Sequence, residues 1–225
     1  MGARDVHVLA LVTQKGGSGK STLAVGLAVA AMEREERVAL IEADAQGTIS
    51  KWKQRRENCF PRVECVADPA EIEPALSRLR AEGIGLAIID TAATNNALAL
   101  RAITNADFCL IPARPSPADI EAAIPTLLAI RRGNRRFAFI LNQTPTRGCR
   151  LSEAATSLNS LGVLALPFIG QRNDHQDALG VGLGVTEFAP DGKASDEIVG
   201  LWRWISEHIF TESNHHGQGA VETAC

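Results

Sequence analysis

Residues 13–22, TQKGGSGKST, combine three glycines, two lysines and several hydroxyl side chains in one short stretch. Glycines let a backbone turn its N–H groups inward around an anion. A lysine ammonium adds positive charge, and a serine hydroxyl is an oxygen ligand suited to Mg²⁺. This spacing predicts a loop that binds a chain of phosphates, with Lys20 on the β- and γ-phosphates and Ser21 on Mg²⁺.

The segments on either side of this loop provide the context that such a loop needs. An apolar run at 6–12 predicts a buried strand, and the apolar periodicity of 23–32 predicts a helix. The helix would direct its positive N-terminal end at the phosphates. Strand, glycine loop, lysine, hydroxyl and helix follow one another in the order of a phosphate-binding loop.

Short apolar runs alternate with helical patterns along the rest of the chain. This alternation predicts an α/β fold of three layers, a mostly parallel twisted sheet with helices on both faces, and a ligand site at the carboxyl ends of the strands. We expect strands at 6–12, 37–41, 62–66, 86–90, 108–111, 137–141 and 163–168. We expect helices at 21–35, 48–57, 69–82, 97–104, 117–132, 151–161 and 194–210.

Composition indicates an ordinary soluble domain. The chain has 225 residues, 45% of them hydrophobic, and a net charge of −3. We expect one domain at 1–210 and a disordered tail at 211–225, with no signal peptide and no membrane-spanning run. Five cysteines without a CxxC pattern favour a reducing cytoplasm over a disulfide framework or a metal cluster.

Carboxylates follow two of the predicted strands. Asp44 lies in IEADAQGT after the second strand, where it could orient water or metal, or else cap the helix at 48–57. Asp90 ends the apolar strand LAIID, where it would hold Mg²⁺ through water and bond the Ser21 hydroxyl. An apolar strand ending in Asp is common, and its order after the phosphate loop is what favours this role.

The stretch KGGSGKST resembles the deviant Walker A motif of the ParA/MinD family of ATPases. With DAQG, IIDT and GVTEFAPDGKASDEI, it points to the short branch of ParA-like partition ATPases, and the resemblance extends over about 6–210. The chain departs from the family pattern at Glu42 and Ala45, which replace the first aspartate and the proline of D-x-D-P-Q-G. It also carries Ala92 and Ala93 in place of two prolines.

The resemblance implies an ATPase that dimerises around ATP and Mg²⁺. The homodimer would bind DNA without sequence preference, and a ParB-like or adaptor protein would stimulate slow hydrolysis. Lys15 would reach the other subunit's nucleotide and act in catalysis with Lys20 and Asp44, which positions the attacking water. Mg²⁺ would be held by Ser21, Asp44 and Asp90. The expected nucleotide contacts are Gly16, Gly17, Ser18, Gly19, Lys20, Ser21, Thr22, Asn142, Pro167, Gln171 and Arg172, the last four toward the base and ribose.

A local basic patch is the expected contact with DNA, because the whole chain is slightly acidic. The predicted residues are Arg147, Arg150, Arg172 and Lys193. Solvated helix ends are the alternative explanation for basic residues in this part of the chain. In the ATP state the protein would associate with the nucleoid within the cytoplasm.

Three other functions remain open at this stage. A membrane-bound MinD-like protein would need a basic amphipathic C-terminal helix, which SNHHGQGAVETAC does not resemble. A metabolic enzyme of the same fold, such as a dethiobiotin synthetase, would need substrate residues that the sequence does not reveal. A slowly hydrolysing nucleotide switch acting only on a protein is compatible with Glu42 and the alanine pair. Plasmid, chromosome, conjugation complex and protein organelle all remain possible cargoes.

Overall fold

Six parallel strands form one sheet in the computed structural model, which describes residues 6–93, 97–145 and 150–210. Their order across the sheet is β3-β2-β4-β1-β5-β6. The predicted α/β class and parallel sheet are therefore confirmed. The strands are β1 (His7–Leu11), β2 (Val38–Ala43), β3 (Arg62–Cys65), β4 (Leu86–Thr91), β5 (Phe108–Ala113) and β6 (Arg136–Leu141).

Helices cover both faces of this sheet. Alternate strand residues point to opposite sides, and because apolar residues occupy both sides, each face must be covered. Leu40 and Ile88 pack with one group of helices, whereas Ile41 and Ile89 pack with the other. The first group is α1 (Lys20–Met32), α2 (Thr48–Arg55), α7 (Asp174–Gly180), α8 (Val185–Phe188) and α9 (Lys193–Ile209). The second is α3 (Ile72–Ala81), α4 (Ala97–Asn105), α5 (Pro117–Arg132) and α6 (Arg150–Leu161).

Helix α1 is buried along most of its length because it lies between the sheet and α9. Its residues from Leu23 to Ala31 are all buried. A Cβ on Gly26 would lie 3.3 Å from the Ile198 side chain of α9, so the glycine allows the two helices to pack closely. This packing fixes the start of α1, and with it Lys20 and Ser21.

An ion pair fastens the far end of α2 to the segment before α9. Arg56 follows α2, and its side chain is only 1% exposed. Its guanidinium donates two hydrogen bonds to Glu187, at 2.8 and 2.7 Å, and a further one to the Gly182 carbonyl at 3.0 Å. Because the pair is bidentate and its arginine is buried, it holds α2 firmly against the rest of the fold.

The prediction of a strand at 163–168 is wrong, because the structure has no continuous strand there. This segment runs beside β6 but forms only one isolated bridge, Leu164 with Phe139, and Gly170 just after it forms another with Thr144. Pro167 lies between these bridges and has no N–H to donate, which prevents a continuous ladder. The sequence analysis also missed α7 and α8, which are short and separated by the glycine-rich segment 180–184.

The other predicted elements agree with the structure within a few residues, and the segment predicted as a helix at 69–82 begins as the 3₁₀ turn Pro69–Glu71. Within the described ranges, no helix has the length and apolar character needed to cross a membrane. The predicted tail at 211–225 lies outside the described residues, so the proposed division of the chain stays a prediction.

Candidate functional site

The glycine-rich loop joins β1 to α1 at the carboxyl edge of the sheet. Gly17 and Gly19 adopt left-handed backbone conformations, with φ of 73° and 86°. Residues with a side chain rarely adopt such φ values, and a Cβ on Gly19 would also clash with the Asn142 amide. Glycine is therefore required at both positions for the loop to take this shape.

Two amides at the end of β6 hold the outside of the loop. Asn142 Nδ2 donates to the Ser18 carbonyl at 2.7 Å, and Gln143 Nε2 donates to the Gly17 carbonyl at 2.8 Å. In a trans peptide the C=O and the following N–H point in opposite directions. The N–H groups of Ser18 and Gly19 therefore point away from these amides, which is the arrangement an anion-binding loop needs.

Lys20, Asp44 and Asp90 converge beside this loop. The Lys20 ammonium is buried and lies 3.5 Å from the Thr13 carbonyl. Burial lowers the pKa of Lys20, and the negative charges of Asp90 and Asp44 oppose that shift. The structure thus brings together the cation and both carboxylates that the sequence predicts for the phosphate site.

Asp90 lies at the carboxyl end of β4 and is fully buried. Neither carboxylate oxygen makes a well-formed hydrogen bond with the described residues, and the Ser21 hydroxyl is the nearby side-chain donor. Burial raises the pKa of Asp90 to about 7, although the nearby Ser21 hydroxyl and Lys20 ammonium oppose the shift. An unpartnered buried carboxylate is costly unless something positive binds there.

This arrangement fits Mg²⁺ better than a metal held by protein alone. Asp90 and Ser21 offer oxygen atoms on one side of the site, and Mg²⁺ usually takes one or two such ligands with phosphates and waters. In the described part of the chain, no cluster of three or more His, Cys, Asp or Glu side chains could hold a metal ion. The residues present therefore fit Mg²⁺ that arrives with a nucleotide.

Asp44 does not cap α2, so that alternative interpretation is wrong. Its Oδ1 accepts a hydrogen bond from the Gln46 N–H at 2.9 Å, within the turn that leads to the helix. The N-cap position belongs to Gly47, and the carboxylate that bonds the first turn is that of Glu42. The second oxygen of Asp44 accepts no hydrogen bond from the described residues, which leaves it available for a water or a metal-bound water.

A cavity of about 100 Å³ adjoins the start of α1 and is lined by Asn142, Gln171 and Arg172. Three of the four residues predicted for the base and ribose are therefore together. The Asn142 amide is already bonded to the loop, so its predicted contact with the base stays a prediction. Pro167 does not line the cavity, because it packs against α9 beside Gly200.

His175 lines the same cavity, and the sequence analysis did not single it out. Its ring is buried, its Nε2 has no partner within the described structure, and burial lowers its pKa. A single histidine forms no recognisable motif with its sequence neighbours, so the sequence alone does not indicate a role for it. Only the position of α7 at the cavity reveals it.

Of the four residues predicted to bind DNA, the three that the structure describes do not form one patch on the monomer. Arg172 is paired with Glu197, whose carboxylate also accepts the Gly170 N–H at 2.9 Å, so its charge is compensated. Arg150 and Lys193 are exposed, but they begin α6 and α9 on opposite faces of the sheet. Arg147 lies outside the described residues.

Lys15 lies half-buried in the glycine loop, and its charge differs from that of Lys20 in its surroundings. Its backbone N–H faces the Thr13 hydroxyl at 3.5 Å. Its ammonium has no hydrogen-bond or ion-pair partner within residues 6–93, 97–145 and 150–210, whereas Lys20 already fills the position beside the carboxylates. Nothing in the described monomer therefore uses this charge.

Known proteins resemble this chain over most of its length. A family model described as the CobQ/CobB/MinD/ParA nucleotide binding domain matches residues 9–185. A curated relative from Gloeobacter kilaueensis, "Maintenance of carboxysome distribution protein A", is 30% identical over 211 residues, covering 90% of this chain and 94% of its own. Protein IncC of Escherichia coli is 25% identical over 94% of this chain and 71% of its own.

A solved structure shows the same fold. The septum site-determining protein MinD from Pyrococcus horikoshii, complexed with Mg-ADP, superposes with a TM-score of 0.72 at 15% identity, over 92% of this chain and 98% of its own. Proteins of this family bind ATP with Mg²⁺, so the expected cofactors are confirmed at the level of the family. The chain belongs to the CobQ/CobB/MinD/ParA family of nucleotide-binding ATPases.

Proposed function

We propose that this protein is a slow ATPase that dimerises around ATP, binds DNA without sequence preference, and hydrolyses ATP on stimulation by a partner protein to position a cargo. The observation that carries the proposal is the convergence of Lys20, Asp44 and the unpartnered Asp90 on the glycine loop. This combination provides a phosphate contact, a metal ligand and a water-orienting carboxylate in one site.

Each residue has a distinct role in hydrolysis. Lys20 and the loop N–H groups bind the phosphates and stabilise the negative charge that develops on them. Ser21 and Asp90 would hold Mg²⁺, which would supply further neutralisation of the phosphate charge. Asp44 orients the attacking water with the carboxylate oxygen that the Gln46 N–H does not occupy.

Lys15 supports a dimer as the active form. A second lysine whose ammonium has no described partner, next to a triphosphate site that already contains Lys20, is best used on the phosphates of a second subunit. There it would offset charge in a low-dielectric interface. The dimer would also repeat Arg150 and Lys193, so that two weak sets of phosphate contacts add on one molecule.

The relatives guide the choice of cargo. A protein named for carboxysome distribution matches this chain nearly from end to end, whereas the longer IncC is covered over 71% of its length. This supports a large protein assembly as the cargo ahead of a plasmid. A switch that acts on a protein alone is the second candidate, and the pairing of Arg172 with Glu197 favours it, because that charge is not free for DNA.

Dimerisation and DNA binding are tested together with Lys15→Gln, using Arg34→Gln, an exposed cation beyond the far end of α1, as a control for the loss of one positive charge. Light scattering should show that ATP converts the wild type and Arg34→Gln, but not Lys15→Gln, from monomer to dimer. In a DNA titration at several salt concentrations, affinity should require ATP and fall steeply with salt. A Lys15→Gln protein that still dimerises would remove the reason for placing Lys15 across the interface. A dimer that ignores DNA at low salt would favour the protein-only switch.

A further inference from the structure

Glu42 is the penultimate residue of β2, two residues before Asp44, and its carboxylate is turned toward α2. Oε1 accepts the Ile49 N–H at 2.6 Å, and Oε2 accepts the Ser50 N–H at 3.1 Å together with the Ser50 hydroxyl. The first N–H groups of a helix have no partner within the helix. Because the N-cap residue is Gly47, which has no side chain to offer, Glu42 provides the cap from the neighbouring strand.

These bonds close the chain from 42 to 49 into a ring that contains Asp44. Within the ring, the Asp44 carboxylate accepts the Gln46 N–H at 2.9 Å, and its carbonyl accepts the Gly47 N–H at 3.1 Å. Gly47 turns the backbone with a φ of 66°. Since β2 is fixed in the sheet, the Glu42 carboxylate fixes the other side of the turn at α2, and the Lys51 ammonium adds a hydrogen bond to the Gln46 carbonyl at 2.8 Å.

The same bonds argue against a direct role for Glu42 in chemistry. A carboxylate offers about four lone pairs, and three donors from α2 already occupy this one. The side chain is only 3% exposed, and the Cys65 thiol of β3 lies 3.8 Å from Oε2. A general base or a metal ligand needs an accessible lone pair, which Asp44 has and Glu42 lacks.

We propose that Glu42 is a positioning residue, which fixes Asp44 by holding the first turn of α2. An aspartate would be about 1.5 Å shorter, one carbon–carbon bond, and would not reach Ile49 and Ser50 from the same backbone. The presence of glutamate at this position is thereby explained. The catalytic half of this inference rests on the proposed ATPase function, whereas the capping half does not.

Three variants separate the roles. Glu42→Gln keeps the size but turns an acceptor into a donor that faces the Ser50 N–H, and Glu42→Asp keeps the charge but shortens the reach. Glu187→Gln is the matched control, because it weakens the hold on the far end of α2 and leaves the Glu42 bonds intact. Each is measured by deuterium uptake of a peptide covering 44–52 without nucleotide, by MgATP affinity, and by kcat and KM.

Both Glu42 variants should increase uptake at 44–52 and lower kcat by ~10- to ~100-fold, the cost of misplacing a reactive group by about an ångström. KM should stay within about twofold, because Asp44 positions water and does not bind substrate. Glu187→Gln should leave kcat per folded molecule unchanged. A Glu42→Asp protein with normal kcat would show that charge, not reach, matters, and would overturn the inference. So would an equal loss of kcat in Glu187→Gln.

The exchange measurement also separates this inference from the proposed function. Unchanged uptake at 44–52 in Glu42→Gln would refute the capping role, whatever the activity of the protein. A wild type without ATP turnover would refute the proposed function and the catalytic half of the inference. Increased uptake in that protein would still confirm that Glu42 holds the turn.

Discussion

Replacing Asp90 with asparagine should make the nucleotide-free protein more stable at neutral and alkaline pH. Burial raises the pKa of this carboxyl from 3.8 to about 7, so the folded state binds a proton more tightly than the unfolded chain. An acid whose pKa is raised by folding costs no stability below pH 4. It costs progressively more as the pH rises through the interval up to 7, because the unfolded chain ionises first.

The size of the effect follows from the shift. One pKa unit corresponds to about 1.4 kcal/mol, so a shift of about three units gives a maximal cost of about 4 kcal/mol above pH 7. Between pH 5 and pH 8 the wild type should lose about 2–3 kcal/mol relative to Asp90→Asn, which has no proton to release.

Urea denaturation at pH 5, 6, 7 and 8, with a chelator and without nucleotide, measures this difference for the two proteins. The gap in the free energy of unfolding should widen steadily up to about pH 7 and then level off. A gap that stays constant across this range would refute the argument that Asp90 is an unpartnered buried carboxylate. Addition of Mg²⁺ with ATP should narrow the gap at pH 8, because only the wild type keeps the carboxylate ligand.

Two further variants test other parts of the structure. Asp44→Ala should leave MgATP affinity nearly unchanged, whereas turnover, measured by phosphate release, should fall by ~10²-fold or more because a water-positioning group is lost. Normal turnover would assign that role to another residue. Glu187→Gln should lower the free energy of unfolding, measured by urea denaturation, by about 2–4 kcal/mol, because it leaves the buried Arg56 without its carboxylate. A loss below about 0.5 kcal/mol would mean that the ion pair does not stabilise the fold.

The phosphate site could be predicted from sequence because its residues are adjacent in the chain or follow strand ends. Gly17, Gly19, Lys20 and Ser21 belong to one short motif, and Asp90 ends a continuously apolar run, which is typical of a buried strand. Parallel strands bring their carboxyl ends to the same edge, so these residues must meet. The parallel sheet follows from the same alternation of strands and helices.

The remainder depends on contacts between distant segments. Nothing in the sequence around Arg172 reveals that Glu197, on a helix 25 residues later, compensates its charge. The capping of α2 by Glu42 is hidden for a different reason, because a carboxylate at a strand end is equally typical of a catalytic group. The failure at 163–168 is a local one: an apolar run predicts a strand, but Pro167 interrupts the ladder.

The central claim is that the loop binds the phosphates of ATP through Lys20. Isothermal titration calorimetry of MgATP into the wild type and Lys20→Ala tests it most directly, with circular dichroism to confirm that both proteins are folded. The wild type should bind one nucleotide per chain, and Lys20→Ala should lose ~10²-fold or more in affinity, the cost of removing a buried charged partner. Equal affinity in the two proteins would contradict the assignment of this site.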